Sequence, residues 1–430
     1  MSTKVHSWFK PRTYLHFDNP IGYKKAKKIV TNIDVVAQHS FYPFLQFTIK
    51  TSKISKEKIS KKITRENKPR EISYASHLDS QIYAYYAEQL SKLYEEELTQ
   101  LGLDENILAF RKIGDGKCNI HFAHDAFEKI KSIGPSNVVA MDFEKFFDSL
   151  DHRILKERWS ALLGTTKLPA DHFNVYKSLT KFATVNRDEL YKNLGISKHN
   201  PKHNRYRICS ADEFRNKVRI GYKLIKTNTD LYGIPQGSPI SALLSNIYLI
   251  EFDKAVKAYA DSCGGTYYRY CDDILFIAPA MVGISTIENF VTGEANKARV
   301  KINSKKTVPH EFKYSSGRLE TKKPLQYLGF LFDGKNTYLR SGSLSRFSER
   351  MKIKVRLAKK TRAKCNQERE SKGFPKTEIF KKDIYSRCTH LGRRNFIRYG
   401  HRAAKIMSSR TIRKQLKPLW NRVQDEINRP

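Results

Sequence analysis

The chain is short of acid, of paired cysteines and of long apolar runs, and each shortage removes a class of answer. Its 43 Asp and Glu face 80 Lys and Arg, a formal balance of +37 at pH 7. Such an excess suits a polyanionic partner, because each basic group set against a phosphate releases condensed counterions; a ribosome-like or membrane-surface protein would carry it too. The six cysteines (Cys118, Cys209, Cys263, Cys271, Cys365 and Cys388) include no C-x-x-C pair, so neither a zinc ribbon nor a redox motif is present. Scattered thiols point to a reducing compartment, hence a cytoplasmic location. The N-terminus, MSTKVHSWFKPRTYLHF, lacks the apolar core of a signal peptide. The longest apolar run, Ile274 to Ile284, is interrupted by Pro279 and too short to span a bilayer. A soluble, membrane-free protein is expected.

What is present is enough for a real core. Apolar residues make up 40% of 430, a length that suits two to four domains at ~100–200 residues each. Residues 1–50 have no clean period. The run TSKISKEKISKKITRENKPR, with eight Lys/Arg and two Glu, reads as a strand pair or loop. From Leu78 to Leu101, Ile82, Tyr85, Tyr86, Leu90, Leu93 and Leu98 recur at helical spacing, and Gly102 is placed to stop the helix. Asn137-Val-Val-Ala-Met-Asp142-Phe143 is a continuous apolar run ending in an acid, the pattern of a strand buried on both faces. Asp151–Leu163 reads as a helix and residues 164–230 as less regular, with KNLGISKHNPKHNRYR a basic loop. His199 and His203 have metal-like spacing but no neighbouring Cys or acid.

Ser238-Pro239 reads as a helix start, with Ile240, Leu243, Leu244, Ile247 and Ile250 following at helical spacing. Thr266–Tyr270 and Ile274–Ala278 are strand-like runs joined by Cys271-Asp272-Asp273, and a second hairpin is expected at Gln326–Phe332 and Thr337–Arg340. The tail, 341–430, is helical in pattern, with Leu344, Phe347, Met351, Val355 and Ala358 on one face. It holds 26 Lys/Arg against seven Asp/Glu, about half of the chain's surplus in its last fifth.

The acids carry the chemistry. Asp142 ends an apolar strand and Asp272-Asp273 occupy the tip of an apolar hairpin. Clustered carboxylates repel, so such a site calls for cations, and hard oxygen donors select magnesium or manganese. Two such ions, about 3.5–4 Å apart, can activate a hydroxyl and stabilise the leaving oxygen in phosphoryl transfer. An isolated Asp-Asp pair reads first as a turn exploiting the backbone tolerance of Asp.

The pair is not isolated. VVAMDFEKFFDSLDH, GIPQGSPISALLSNIYL, YCDD, VKINSKKT and LQYLGF occur in that order across roughly residues 68–332, and together they resemble the palm motifs of reverse transcriptases. The resemblance implies an α+β right-hand polymerase with fingers, an RRM-like palm and a helical thumb: an N-terminal extension and fingers over 1–136, palm over 137–340 with a fingers-type insertion at about 164–230, and a basic thumb over 341–430. It implies two Mg2+ ions (Mn2+ possible) at Asp142, Asp272, Asp273 and the Phe143 carbonyl. Phe147 then sits at the steric gate against the ribose 2′-OH, with Phe146 competing for the register. Gln236, Gly237, Lys68, Arg70 and Lys306 fall at nucleotide-binding positions, with Lys305 as the alternative to Lys306. Tyr327, Leu328, Gly329 and Phe330 fall at the primer grip, where Phe330 reads equally as core. Lys352, Lys359, Arg393 and Arg394 are candidate nucleic-acid contacts on the thumb.

After the thumb the chain leaves no length for a nuclease or integrase domain. The palm motifs resemble those of bacterial group II intron enzymes, with retron enzymes the second comparison. No Asn-Ala-x-x-His element separates the first two palm motifs, and Val291-Thr292-Gly293 precedes LQYLGF instead of following it. The remaining resemblance is to stand-alone defence-associated reverse transcriptases that work with a noncoding RNA. It implies an RNA template, dNTPs, a cDNA product and a structured RNA partner. A template-independent DNA synthesiser and an RNA-binding maturase remain as alternatives.

Overall fold

A computed structural model describes residues 6–56, 63–111 and 116–429, with no side chain described between 51 and 68. Helices α1 (Tyr23–Val30) and α2 (Ile33–Ala37) precede two long strands, β1 (Phe44–Lys56) and β2 (Ile63–Tyr74). The basic run is thus a strand pair, antiparallel, with Leu45 opposite Tyr74 and Ile49 opposite Arg70. Helix α3 (His77–Gln100) starts where the Ser76 hydroxyl accepts the Asp79 N–H. Its stripe buries Ile82, Tyr86, Leu90 and Leu98 as expected, together with Tyr83 and Tyr94. Helix α4 (Asn119–Ile133) leads into β3 (Ser136–Asp142), then α5 (Phe146–Ser149) and α6 (His152–Leu162).

Residues 164–230 are more ordered than their sequence reads. They form α7 (Ala170–Thr180), β4 (Ala183–Asn186), α8 (Arg187–Asn193), α9 (Ala211–Glu213) running into a π-helical stretch over Phe214–Gly221, and β5 (Ile225–Thr227). Strand β4 pairs parallel with β1 and antiparallel with β5, which completes a four-stranded sheet in the order β2-β1-β4-β5. Strands of three and four residues are too short to show a period, and β1, which ties β4 into the sheet, lies more than a hundred residues upstream. The loop reading holds for 194–209, where His199 and His203 sit exposed.

Helices α10 (Ser241–Tyr248) and α11 (Ile250–Ser262) follow. The expected cap at Ser238 is not made: α10 begins three residues later, with Ile240 at its N-cap. The preceding backbone is tied to β2 through a 2.9 Å bond from Ser73 N–H to the Gln236 carbonyl, and the Ser241 hydroxyl donates to the Pro235 carbonyl. Strands β6 (Thr266–Tyr270) and β7 (Asp273–Pro279), helix α12 (Ile284–Lys297), β8 (Val308–Ser315) and β9 (Arg318–Glu320) complete a sheet of order β6-β7-β3-β8-β9. Its central strand explains the continuous apolar run. Val139 enters one core with Ile247, Val256 and Val291, while Val138 enters the other with Ile120 and Phe127.

The expected second hairpin is a three-stranded meander of β10 (Leu325–Tyr327), β11 (Phe330–Phe332) and β12 (Thr337–Leu339). Leu328 and Gly329 form its first turn with φ of 45° and 94°, the two-residue geometry that suits strand twist. The tail is helical: α13 (Ser341–Ser371), α14 (Lys381–Cys388), α15 (Phe396–Ile406), α16 (Arg410–Leu416) and α17 (Pro418–Asn428). Phe347, Met351 and Val355 are the buried face of α13, as their spacing requires. They share a core with α4 and the meander, so tail and sheet are one packed unit. All six thiols are unpaired, and among the described residues no helix is long and apolar enough to cross a membrane.

Candidate active site

Pairing of β3 with β7 sets Asp142 directly opposite Asp273, with Asp272 on the adjoining turn. That turn is tight: Cys271 has φ of +60°, and the Asp272 carbonyl accepts the Phe143 N–H at 3.1 Å, tying the exit of β3 to it. The surrounding protein, then the neighbouring Asp272 and Asp142 charges, push the Asp273 carboxyl up to about 6, against the opposing pull of Lys306. Lys306 Nζ lies 2.8 Å from both Asp142 oxygens. Lys306, not Lys305, therefore reaches the acids.

Three carboxylates around one strand exit are an oxygen donor set of the hard kind that Mg2+ prefers. Burial first, and the two neighbouring carboxylates second, disfavour the charged form of Asp273, and a cation at the site would offset the second of these. As the side chains lie, Lys306 is that cation for Asp142, and among the described residues no three His, Cys, Asp or Glu stand close enough to hold an ion. A divalent ion at these acids would require the ammonium to leave Asp142 and the carboxylates to draw closer together.

The cleft over these acids is about 590 Å³ and is lined by Asp142, Asp273, Tyr270, Lys306, Asn119, Arg340 and the Tyr327-Leu328-Gly329 turn, among others. Asn119 Nδ2 donates to the Leu328 carbonyl at 3.1 Å and to the Tyr399 hydroxyl at 2.9 Å, fixing the turn to α4 and α15. Within the expected primer grip, Phe330 is core and does not line the cleft, whereas Tyr327, though buried, lines it together with the Leu328–Gly329 turn. Phe143 and Phe146 are likewise core, stacked at 5.0 Å, whereas Phe147 is only half-buried. Of the two gate candidates, Phe147 is the accessible one, and its carbonyl accepts the Ile234 N–H beside the Gly-Ile-Pro-Gln-Gly turn.

Gly237 is pressed against the chain itself. Its φ is +116°, and a Cβ there would lie 2.5 Å from the Ser73 carbonyl oxygen. The turn is thereby braced on β2, whose Arg70 is exposed on the face it shares with Ile72 and Tyr74. The Lys68 side chain lies outside the described residues. On the tail, Lys352 is exposed on α13, Lys359 donates to the Arg429 carbonyl at the end of α17, and Arg393 and Arg394 are exposed before α15.

Residues 54–332 match the model of the family described as reverse transcriptase (RNA-dependent DNA polymerase). The chain belongs to that family. Its α+β architecture is the family's right-hand polymerase fold. Among curated proteins it is similar to the retron Ec86 reverse transcriptase of Escherichia coli, 35% identical over 74 residues, which cover 17% of this chain and 23% of that one. It is also similar to the retron Mx162 reverse transcriptase of Myxococcus xanthus, 33% identical over 69 residues, 16% of this chain and 14% of that one. The matched segments thus span less than a quarter of either relative. Solved structures with a similar trace include the Sicinivirus 3Dpol RNA dependent RNA polymerase (12% identity, 95% of this chain and 72% of that one, TM-score 0.43). Another is apo telomerase from Candida tropicalis truncated from its C-terminal domain (11% identity, 75% and 61%, TM-score 0.38).

One buried cluster beside these acids escaped the sequence reading. Arg269 and Asp253, both fully buried, form a two-pronged pair with Nε–Oδ1 of 2.7 Å and Nη2–Oδ2 of 2.6 Å. The Tyr267 hydroxyl adds a third donor to Asp253 at 2.7 Å, and Arg269 Nη1 reaches Asn246 Oδ1 at 2.9 Å and the Cys271 carbonyl at 3.2 Å. Burial pushes the Asp253 carboxyl above its ordinary value even against Arg269 and Tyr267. Burial also opposes the Arg269 charge, which Asp253 more than restores. Three donors converging on two oxygens argue for the charged pair. It holds the left-handed Cys271 from beneath. The available signal was a charge at the inward parity of β6, beside buried Tyr267.

Proposed function

We propose that the chain is an RNA-directed DNA polymerase whose reacting centre is Asp142, Asp272 and Asp273. The observation that carries this reading is the cross-strand pairing of Asp142 with Asp273 in a cleft that also presents Lys306 and the Leu328–Gly329 turn. The domain assignment that goes with it has an N-terminal extension and fingers over 1–136, palm over 137–340 with a fingers-type insertion at about 164–230, and a basic helical thumb over 341–430.

Two Mg2+ ions bound by the three carboxylates and the Phe143 carbonyl would supply Lewis-acid activation of the primer hydroxyl and neutralisation of the leaving pyrophosphate. The protein's own part is positional. The Leu328–Gly329 turn, fixed by Asn119, sets the primer end, and Phe147 closes the sugar side of the site. Gln236 and Gly237 present backbone to the incoming dNTP, and Lys68 and Arg70 take its phosphates. Lys306, with 50% of its side chain exposed, is free to swing from Asp142 to the nucleotide phosphates once the carboxylate is otherwise neutralised. Purified protein given a primed RNA should incorporate dNTPs in a Mg2+-dependent way. Asp272→Asn and Asp273→Asn should abolish incorporation while RNA binding and fold persist, and a near-normal rate in either variant would refute the assignment.

The finer reading is a ribonucleoprotein with a dedicated noncoding RNA, acting in antiviral defence. It is supported by the +37 balance, which exceeds what one duplex channel needs, and by the retron resemblance. Deleting the flanking DNA while the protein is still expressed should abolish cDNA and phage protection. Persistence of both, with no specific RNA co-purifying, would leave a general polymerase. Untemplated product sequence would favour the template-independent alternative.

A further inference from the structure

From Ile384 to Gln424 the chain has no Asp or Glu, yet it carries eleven Lys/Arg and two His. This acid-free stretch builds α15 and α16 with their flanking turns, and it folds around a cavity of about 320 Å³ lined in part by His390, His401, Arg413, Lys417 and Trp420. Among the described residues no carboxylate lines it. Trp420 is 36% exposed, and its ring sits 5.1 Å from the His390 ring and 5.8 Å from that of Tyr385. Burial, then the charges of His390, Arg398 and Arg413, hold His401 below its ordinary value, which marks a locally positive field.

The cavity is not part of the catalytic cleft. Tyr399 directs its hydroxyl to Asn119 at that cleft's rim. His401, two residues on, projects from the opposite side of α15, about 200° around the helix. The outer face of α15 also carries Arg398, Arg402 and Lys405, all exposed, while Ile397, Gly400, Ala403 and Ala404 face the core.

We propose that this thumb cavity binds an unpaired nucleotide of an RNA strand, its phosphate held by Arg413 and Lys417 and its base stacked on Trp420 beside His390. A duplex is too wide to enter a space of this size, whereas one splayed base with its phosphate suits a pocket at the small end of the ~300–1,000 Å³ range. An acidic peptide would use the cations but leave the aromatic pair without purpose, since stacking on an exposed ring is how proteins hold unpaired bases. The choice of RNA over another polyanion rests on the proposed reading of the chain as an RNA-bound polymerase; the site itself does not.

The test uses the full chain and three probes: a 12-nucleotide single-stranded RNA, a blunt RNA–DNA hybrid of the same length, and a polyglutamate peptide. Arg413 and Lys417 are exposed, so Arg413→Gln/Lys417→Gln should leave the fold intact. It should weaken single-strand binding at least fivefold and flatten its log–log salt slope by about 0.7, the share of the one phosphate that the two cations hold. Hybrid binding should not change. Trp420→Ala should weaken single-strand binding about tenfold, and Trp420→Phe should recover most of it. Unchanged affinity and slope in the double variant would overturn the proposal. Equal losses on the hybrid would overturn it by putting these residues on the duplex path, and equal competition by polyglutamate would do so in favour of an acidic protein. Primer extension is measured separately in the unmodified chain, so failure of polymerase activity with the single-strand effects intact would sink the proposed function and leave this site standing.

Discussion

Replacing Arg269 by Met removes the guanidinium from a fully buried pair and strands Asp253 in the core with only the Tyr267 hydroxyl as donor. Breaking a buried pair from one side costs ~3–5 kcal/mol, because an uncompensated charge remains. The same change frees the Cys271 carbonyl and Asn246 Oδ1. Asp253 already stands above its ordinary value through burial and would rise further without its partner. A carboxyl raised in the folded state contributes stability that is complete below its unfolded value and is lost as pH climbs through the folded one. The deficit against the unmodified chain should therefore be smaller at mildly acidic than at alkaline pH. The companion Arg269→Met/Asp253→Leu removes both charges and should recover most of the loss, keeping ~1–3 kcal/mol for the unsatisfied Tyr267 hydroxyl. Urea unfolding of the three proteins at two pH values measures all of this. A single-variant deficit below ~1 kcal/mol, or one independent of pH, would refute the reasoning. Primer extension by the refolded double variant should stay impaired, since stability is regained but the support under Cys271 is not.

Phe147→Ala should raise ribonucleotide over deoxyribonucleotide incorporation with little loss of stability, whereas Phe146→Ala, in the core, should cost ~3–5 kcal/mol by denaturant unfolding; the reverse pattern would exchange their roles. Gly237→Ala puts a Cβ against the Ser73 carbonyl at a φ of +116°. It should cost ~1–3 kcal/mol or more and raise KM for dNTPs more than it lowers kcat, and near-normal steady-state kinetics would show that the turn does not need its brace. Reversing the charges of Lys352, Arg393 and Arg394 should lower the salt slope of hybrid binding by about 0.9 per lost phosphate contact, and an unaltered slope would leave those side chains facing solvent.

The acids, their order and the elements that bear them were legible in the sequence because each depends on local chemistry. A run of apolar residues ending at Asp142 is a buried strand whatever surrounds it, and Asp272-Asp273 between two apolar runs is a turn. The thumb face of Phe347, Met351 and Val355 follows from helical period alone. What the sequence could not carry were relations between distant segments. The pairing of β4 with β1 joins residues far apart through strands too short to have a pattern. The start of α10 moved past Ser238 because the Gln236 carbonyl is held by Ser73, a long-range bond that outweighs a local capping preference. Phe146 and Phe147 are adjacent and identical in kind, and only the packing of Phe146 on Phe143 separates core from cleft. Lys306 and Lys305 were distinguished in the same way, by which ammonium reaches Asp142. Arg269 read as one more cation in a basic chain. Only the tertiary structure puts it at zero exposure against Asp253, because the cost of burying a charge is met by a partner sixteen residues away in sequence and in contact only after folding.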